Sequence, residues 1–289
     1  MAMNNRSILV TGASTGIGEA CALHFARAGW QVFAGVRLEE DGERLTAKAS
    51  GRLQPVGMDV TDQASVVRAA KEIATALDGV GLTALVNNAG VAVGGPVEYV
   101  PLAEWRRQFE VNVIGQIAVT QVTLPLIRQS GNRGRIVFMG SIGGRMATPL
   151  VAPYSASKHA IEAIAESMRH ELRETGIRVV VIEPGAVRTP IWDKGQSSAD
   201  DIEAGLPAEA VQRYGRAVAD LRKVMAFQAR TGVDADVVAR VVEKAVTSAR
   251  PAARNLVGRD AKAMAAITRF LPDRERDVTM RWVMKIASR

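Results

Sequence analysis

The chain has 289 residues, 47% hydrophobic and 23% charged, a balance that excludes a disordered polymer and suits one domain around a substantial core. Its apolar runs are broken by charge or glycine before the roughly 18 residues a bilayer crossing needs, so no integral membrane segment is expected. The net charge of +7 comes from 37 basic and 30 acidic residues that interleave, even in the tail around Arg269, Arg274, Arg276, Arg281, Lys285 and Arg289, so no nucleic-acid surface is expected.

Cys21 is the only cysteine, which excludes an internal disulfide. His24, His159 and His170 are not spaced with acids as a ligand set, so no metal is expected. Residues 1–10 carry no signal-peptide core ahead of a small-residue cleavage site, because their apolar run opens directly into a glycine-rich loop, and a cytoplasmic location is expected.

Ser7–Thr11 reads as a buried strand, followed by glycines at 12, 16 and 18 and a helix pattern from Gly16 to about Ala28. Strand, glycine loop and helix make a phosphate site: the glycines let the backbone approach a ligand, and the first helical amides point free N–H groups at an anion. Gln31–Val36 predicts a second strand, with Arg37 where dinucleotide folds often carry an acid for the ribose hydroxyls. A guanidinium can clamp a 2′-phosphate, so NADP(H) is preferred over NAD(H), although Glu39 and Glu40 could instead pair with Arg37 on the surface.

Leu53–Met58 predicts a third strand, with Asp59 and Val60 at its end, and a helix over 62–77 capped by Asp62. Leu82–Val86 predicts a fourth, closing in Asn87, Asn88, Ala89 and Gly90. One long helix is expected over about 103–129, with Asn112 in an apolar stretch, either a satisfied core amide or a polar group held beneath a site. Arg135–Met139 predicts the fifth strand, a helix opens at Tyr154 and runs to about Thr175, and Ile177–Ile182 predicts the sixth before Pro184 and Gly185. Apolar runs alternating with amphipathic helices predict an α/β fold: a doubly wound, Rossmann-type parallel sheet of about seven strands, helices on both faces, in a single domain. Ligands collect at the carboxyl ends of such strands, where the polar and glycine clusters fall.

The segment 141–158 carries the chemistry. Tyr154 and Lys158, four apart on a helix, share a face, and a neighbouring ammonium favours the phenolate, moving a phenol of pKa about 10 towards the range where it exchanges protons near neutrality. Ser141 is a third donor for the same substrate oxygen. Alone, a Tyr and a Lys at this spacing is more often a solvated helix face.

Taken together, residues Thr11–Gly18, Asn87–Gly90, Asn112, Ser141, Tyr154–Lys158 and Pro184–Gly185, in this order, resemble the short-chain dehydrogenase/reductase family over about residues 5–190, and 141–164 resembles its hydroxysteroid and retinol dehydrogenase-like branch. The resemblance implies Asn112, Ser141, Tyr154 and Lys158 as catalytic residues. Tyr154 would be general acid or base, Lys158 would also grip the nicotinamide ribose, and Asn112 would hold a water linking Lys158 to solvent. It implies cofactor contacts at Gly12, Ser14, Thr15, Gly16, Ile17, Gly18, Arg37, Asp59, Val60, Asn88, Ala89, Gly90, Tyr154, Lys158, Pro184, Gly185, Val187 and Thr189. Substrate contacts are expected at Ser141, Gly143, Leu150, Tyr154 and Trp192, and a homodimer or homotetramer is implied.

The expected organisation is a catalytic domain over 1–258, with a substrate lid at about 188–230, and a helical extension over 259–289. The lid's stripe of Val211, Tyr214, Val218, Leu221, Met225 and Phe227 suits an apolar substrate, or is ordinary helix core. The resulting expectation is hydride transfer between NADP(H) and a lipophilic secondary alcohol or ketone. The alternatives are NAD(H) with a different small alcohol, or an NADP-sensing regulator without chemistry. The intact Ser141, Tyr154 and Lys158 set argues against the sensor.

Overall fold

The computed structural model describes residues 6–191, 200 and 204–287. Its centre is a seven-stranded sheet built from β1 (Ser7–Thr11), β2 (Gln31–Val36), β3 (Leu53–Gly57), β4 (Ala84–Asn87), β5 (Arg135–Met139), β6 (Arg178–Pro184) and β9 (Arg254–Val257). The order is β3-β2-β1-β4-β5-β6-β9, and every neighbouring pair is parallel. A parallel sheet is covered on both faces, which is why β1, β4 and β5 are buried at every residue and read as continuous apolar runs.

Two layers of helices provide the cover. On one face, α1 (Gly16–Arg27), α2 (Glu39–Lys48) and the helix Ala235–Thr247 bury Phe25, Trp30, Val32, Leu45, Val86 and Val242. On the other, α3 (Gln63–Leu77), α5 (Gly115–Gln129) and α6 (Ala152–Glu171) close over Phe33, Ile73, Leu85, Phe138 and Ile161. Asp62 caps α3 as expected, its side chain accepting from the Ala64 amide at 2.9 Å. Strand order reverses between β1 and β4, so their carboxyl ends diverge into a crevice, the place where such sheets take ligands.

The helix expected over 103–129 is present as one run over 102–129, but it is not α-helical throughout. It is α4 (Leu102–Phe109), a π-helical segment Glu110–Ile114 with Asn112 at its centre, and α5. A single wider turn has no sequence period of its own, which hides it from sequence reading, and such turns often lie at functional sites. Among the described residues, this 102–129 stretch alone is long and apolar enough to cross a membrane by length and composition. In the fold it carries core residues, among them Val119 and Ile127, against the sheet.

β4 begins two residues later than expected and extends to Asn87, whose buried amide donates to Thr120 Oγ1 at 2.8 Å. α6 starts at Ala152, with Pro153 in its first turn, where its missing N–H costs nothing. Beyond β6, β7 (Val187–Arg188) pairs with β8 (Val233–Asp234), and the helix Ala208–Thr231 lies between them in sequence. The helices Arg259–Phe270 and Asp273–Ala287 follow β9, the latter packing on Ala208–Thr231.

Candidate active site

The crevice is assembled first by backbone. Gly12 and Gly16 both have φ of +62°, a left-handed conformation that side chains disfavour. Gly18 packs so tightly that a Cβ there would lie 2.2 Å from Gly12 O and 2.5 Å from Asn88 Nδ2. The ends of β1 and β4 are stitched together: Thr11 Oγ1 accepts from the amides of Asn88 and Ala89, both at 3.0 Å, and Asn88 Nδ2 donates to the carbonyls of Thr11 at 3.0 Å and Gly12 at 3.2 Å. Thr15, at the start of α1, makes no side-chain cap, which leaves the first amides of a 12-residue helix for an anion. These features fit the diphosphate of a dinucleotide.

The other residues expected at the cofactor surround this cradle unevenly. Ile17 packs inward on the core, and Val60 turns its side chain towards Gly115, where a Cβ would meet it at 2.8 Å. The Thr189 side chain borders Gly16 at 3.2 Å from where its Cβ would be. Gly90 lies beside Asn112, and Ser14 offers its carbonyl to Arg44 Nη2 at 2.7 Å. Asp59 is acidified: burial pushes its carboxyl up, but the Thr61 hydroxyl and amide and the Arg37 charge outweigh it. Arg37 is exposed at the end of β2, and among the described residues no ion pair joins it to Glu39 or Glu40. Pro184 ends β6, and Val187 pairs with Val233. Gly185 is glycine for a protein contact, since a Cβ would lie 2.2 Å from Asp260 Oδ2, which accepts from the Ala186 amide at 2.7 Å.

The chemical groups meet at the exit of β5. Ser141 caps a 3-10 turn, Ile142–Gly144, its Oγ accepting from the Gly143 amide at 3.0 Å. A Cβ on Gly143 would be 3.4 Å from Ser141 Oγ and 3.5 Å from Tyr154 Cε1, so glycine lets the turn approach the phenol. Tyr154 is half-buried and hydrogen-bonds with Ser141. Lys158, 4% exposed, donates from Nζ to Met139 O at 2.7 Å and lies 5.6 Å from the Tyr154 ring centre. Burial lowers its pKa from 10.5 to about 8.

The phenol stands above its ordinary pKa, contrary to the sequence expectation: burial raises it, and only the Ser141 hydrogen bond pulls it down. The i,i+4 spacing is right, but the ammonium is directed at the Met139 carbonyl, and withdrawal from water disfavours the phenolate. The free protein therefore presents a protonated tyrosine, suited to giving a proton.

Asn112 is fully buried at the π-helical segment. Its Oδ1 accepts from Val91 N at 2.8 Å, and its Nδ2 donates to Val91 O at 3.0 Å and Ser157 Oγ at 3.2 Å. Ser157 in turn donates to the Tyr154 carbonyl at 2.7 Å. The side chain joins the loop after β4 to the helix bearing Tyr154 and Lys158, and its hydrogen bonds run to these partners instead of to Lys158.

A family profile described as short chain dehydrogenase matches residues 6–200. The chain belongs to the short-chain dehydrogenase family. It is 37% identical to the NADPH-dependent 3-dehydrocapnine reductase of Ornithobacterium rhinotracheale over 275 residues, 94% of this chain and 95% of that one. It is 34% identical to human retinol dehydrogenase 5 over 289 residues, 97% of this chain and 89% of that one. A short-chain dehydrogenase from Streptomyces avermitilis superimposes with a TM-score of 0.77 at 27% identity, covering 96% and 95% of the two chains.

In this dehydrogenase, Leu150 is buried with φ of +65° and packs with Val218 and Leu221, with Val151, Tyr214 and Met225 alongside. The helix Ala208–Thr231 thus closes over the loop that leads into α6, and Tyr214 and Arg213 fasten it to Glu98, at 2.8 and 3.1 Å. Trp192, expected at the substrate, lies outside the described residues. Among those described, no group of three His, Cys, Asp or Glu could hold a metal. Sequence reading passed over Ser157, Gln108 and Arg44. Ser157 lies between Tyr154 and Lys158, and polar residues buried inside an amphipathic helix were the available signal.

Proposed function

We propose that this dehydrogenase transfers a hydride between NADP(H) and a lipophilic secondary alcohol or ketone, with Tyr154 as general acid or base. The observation that carries the reading is Tyr154 beside Ser141 and the buried Lys158, at the mouth of a glycine-lined crevice. Bound NADPH would supply the hydride. In ketone reduction the Tyr154 O–H gives its proton to the substrate oxygen as negative charge develops there, and the Ser141 hydroxyl hydrogen-bonds to the same oxygen. Lys158, when protonated, favours the phenolate that remains. Asn112 and Ser157 keep the helix carrying Tyr154 in register.

Arg37 supports the phosphorylated cofactor, because an exposed guanidinium just past β2, not paired with Glu39 or Glu40, can pair with a 2′-phosphate. The relative named as NADPH-dependent supports the same preference. The apolar group around Leu150, Val218, Leu221 and Met225 supports an apolar substrate and a site that excludes water. A screen of steroids, retinoids and aliphatic ketones, followed at the nicotinamide absorbance, tests the reading. Tyr154→Phe should lower turnover at least about 100-fold, the scale of a lost general acid, while NADPH binding persists. Substantial residual turnover would overturn the assignment. Arg37→Ala should weaken NADPH far more than NADH, and equal losses would make Arg37 a surface residue only.

A further inference from the structure

We propose that Arg145 and Glu183 act as a positioning clamp, locking the turn that carries Ser141 onto the strand end that leads into Pro184 and Gly185. The inference rests on the functional reading above, since it concerns how the two sides of that site are kept in register.

Arg145 directly follows the Ser141-capped turn, and its guanidinium grips Glu183 with both branches: Nε donates to Oε1 at 2.5 Å and Nη2 to Oε2 at 2.7 Å. Glu183 is the penultimate residue of β6 and is fully buried. The turn is pressed on its other side against α6, where a Cβ on Gly144 would lie 2.9 Å from Lys158 O and 3.3 Å from Glu162 Cγ. One ion pair therefore spans the catalytic turn and the exit of β6, over the helix that bears Tyr154 and Lys158.

As a mere stabiliser this pair is a poor choice, because desolvating a carboxylate and a guanidinium offsets most of their attraction, and apolar residues of similar size often do as well. It is poorer still beside another acid. Glu162, on α6, approaches Glu183, and its Oε1 is buried without a donor. Burial raises the Glu162 carboxyl, the Arg254 hydrogen bond pulls it back, and the Glu183 charge raises it again. What two parallel hydrogen bonds supply that an apolar contact cannot is a fixed orientation.

The full chain tests this with Arg145→Lys, which keeps the charge and loses the fork, and with the charge-free pair Arg145→Met/Glu183→Met. Each is read by thermal midpoint, NADPH titration, hydrogen exchange of amides 141–151, and kcat and KM for a ketone found in the screen. The clamp predicts for Arg145→Lys a thermal midpoint near wild type, exchange at 141–151 at least tenfold faster, and kcat lower by about 10- to 100-fold, the scale of an ångström-sized misplacement, with KM for the ketone little changed. The Met pair should recover the thermal midpoint and not kcat. Unchanged exchange in Arg145→Lys, or full kcat in the Met pair, would reduce the ion pair to charge neutralisation and overturn the clamp. Should Arg145→Lys fail to fold, Glu183→Gln carries the same expectations. A wild type without turnover on any ketone would refute the functional reading alone, and the exchange rates would then decide the clamp.

Discussion

Replacing Asn112 by alanine tests how the helix bearing Tyr154 and Lys158 is held. The substitution removes three hydrogen bonds, two to the backbone of Val91 and one to Ser157 Oγ. Val91 O keeps a partner, because Gln108 Nε2 also donates to it at 2.8 Å, but the Val91 amide is left without an acceptor. An unpartnered amide costs about 1–3 kcal/mol, and the small cavity adds to it, for a total of roughly 2–4 kcal/mol. At roughly 2–4 °C per kcal/mol for a chain of this class, the midpoint should fall by about 4–16 °C. Turnover should fall as well, because Ser157, which bonds the Tyr154 carbonyl, loses one of its two donors and keeps only Gln108 Nε2 at 3.3 Å. Differential scanning fluorimetry and NADPH-consumption kinetics on the same preparation read both effects. A midpoint within about 1 °C of wild type would mean that water or a shifted helix replaces the amide, and the fastening role would be wrong.

Two further outcomes follow from the site. Gly18→Ala puts a methyl 2.2 Å from Gly12 O, so the glycine loop must move; NADPH affinity should drop at least tenfold, and a titration with unchanged affinity would show that the loop yields freely. Lys158 has its pKa depressed to about 8 by burial, so charging it opposes folding fully below pH 8, and that penalty disappears as pH rises through 10.5. Lys158→Met should therefore unfold at higher temperature than wild type below pH 8, with the gap closing above 10.5, and a pH-independent gap would show that the amine is not desolvated.

Much of this architecture was legible from the chain alone. β1, β2 and β5 fall where the apolar runs predicted, because strands of a parallel sheet are buried on both faces and need no partner to be recognised. Gly12, Gly16 and Gly18 were equally legible, since a positive φ and a close backbone approach demand glycine whatever lies opposite. The π-helical turn around Asn112 was not, because a single wider turn has no sequence period of its own.

The amino-acid sequence by itself determined the order of strands and helices, the glycine cradle and the spacing of Tyr154 and Lys158, all local properties of the chain. Only the tertiary structure decided what those groups do to one another. The direction of the Tyr154 shift is set by burial, and Lys158 is aimed at Met139 O, 19 residues away. The grip of Arg145 on Glu183 joins positions 38 apart, and that of Asp260 on the Ala186 amide joins positions 74 apart. Pairings at such separations carry no periodic signal, because they are set by where parallel strands end in space and not by their neighbours along the chain.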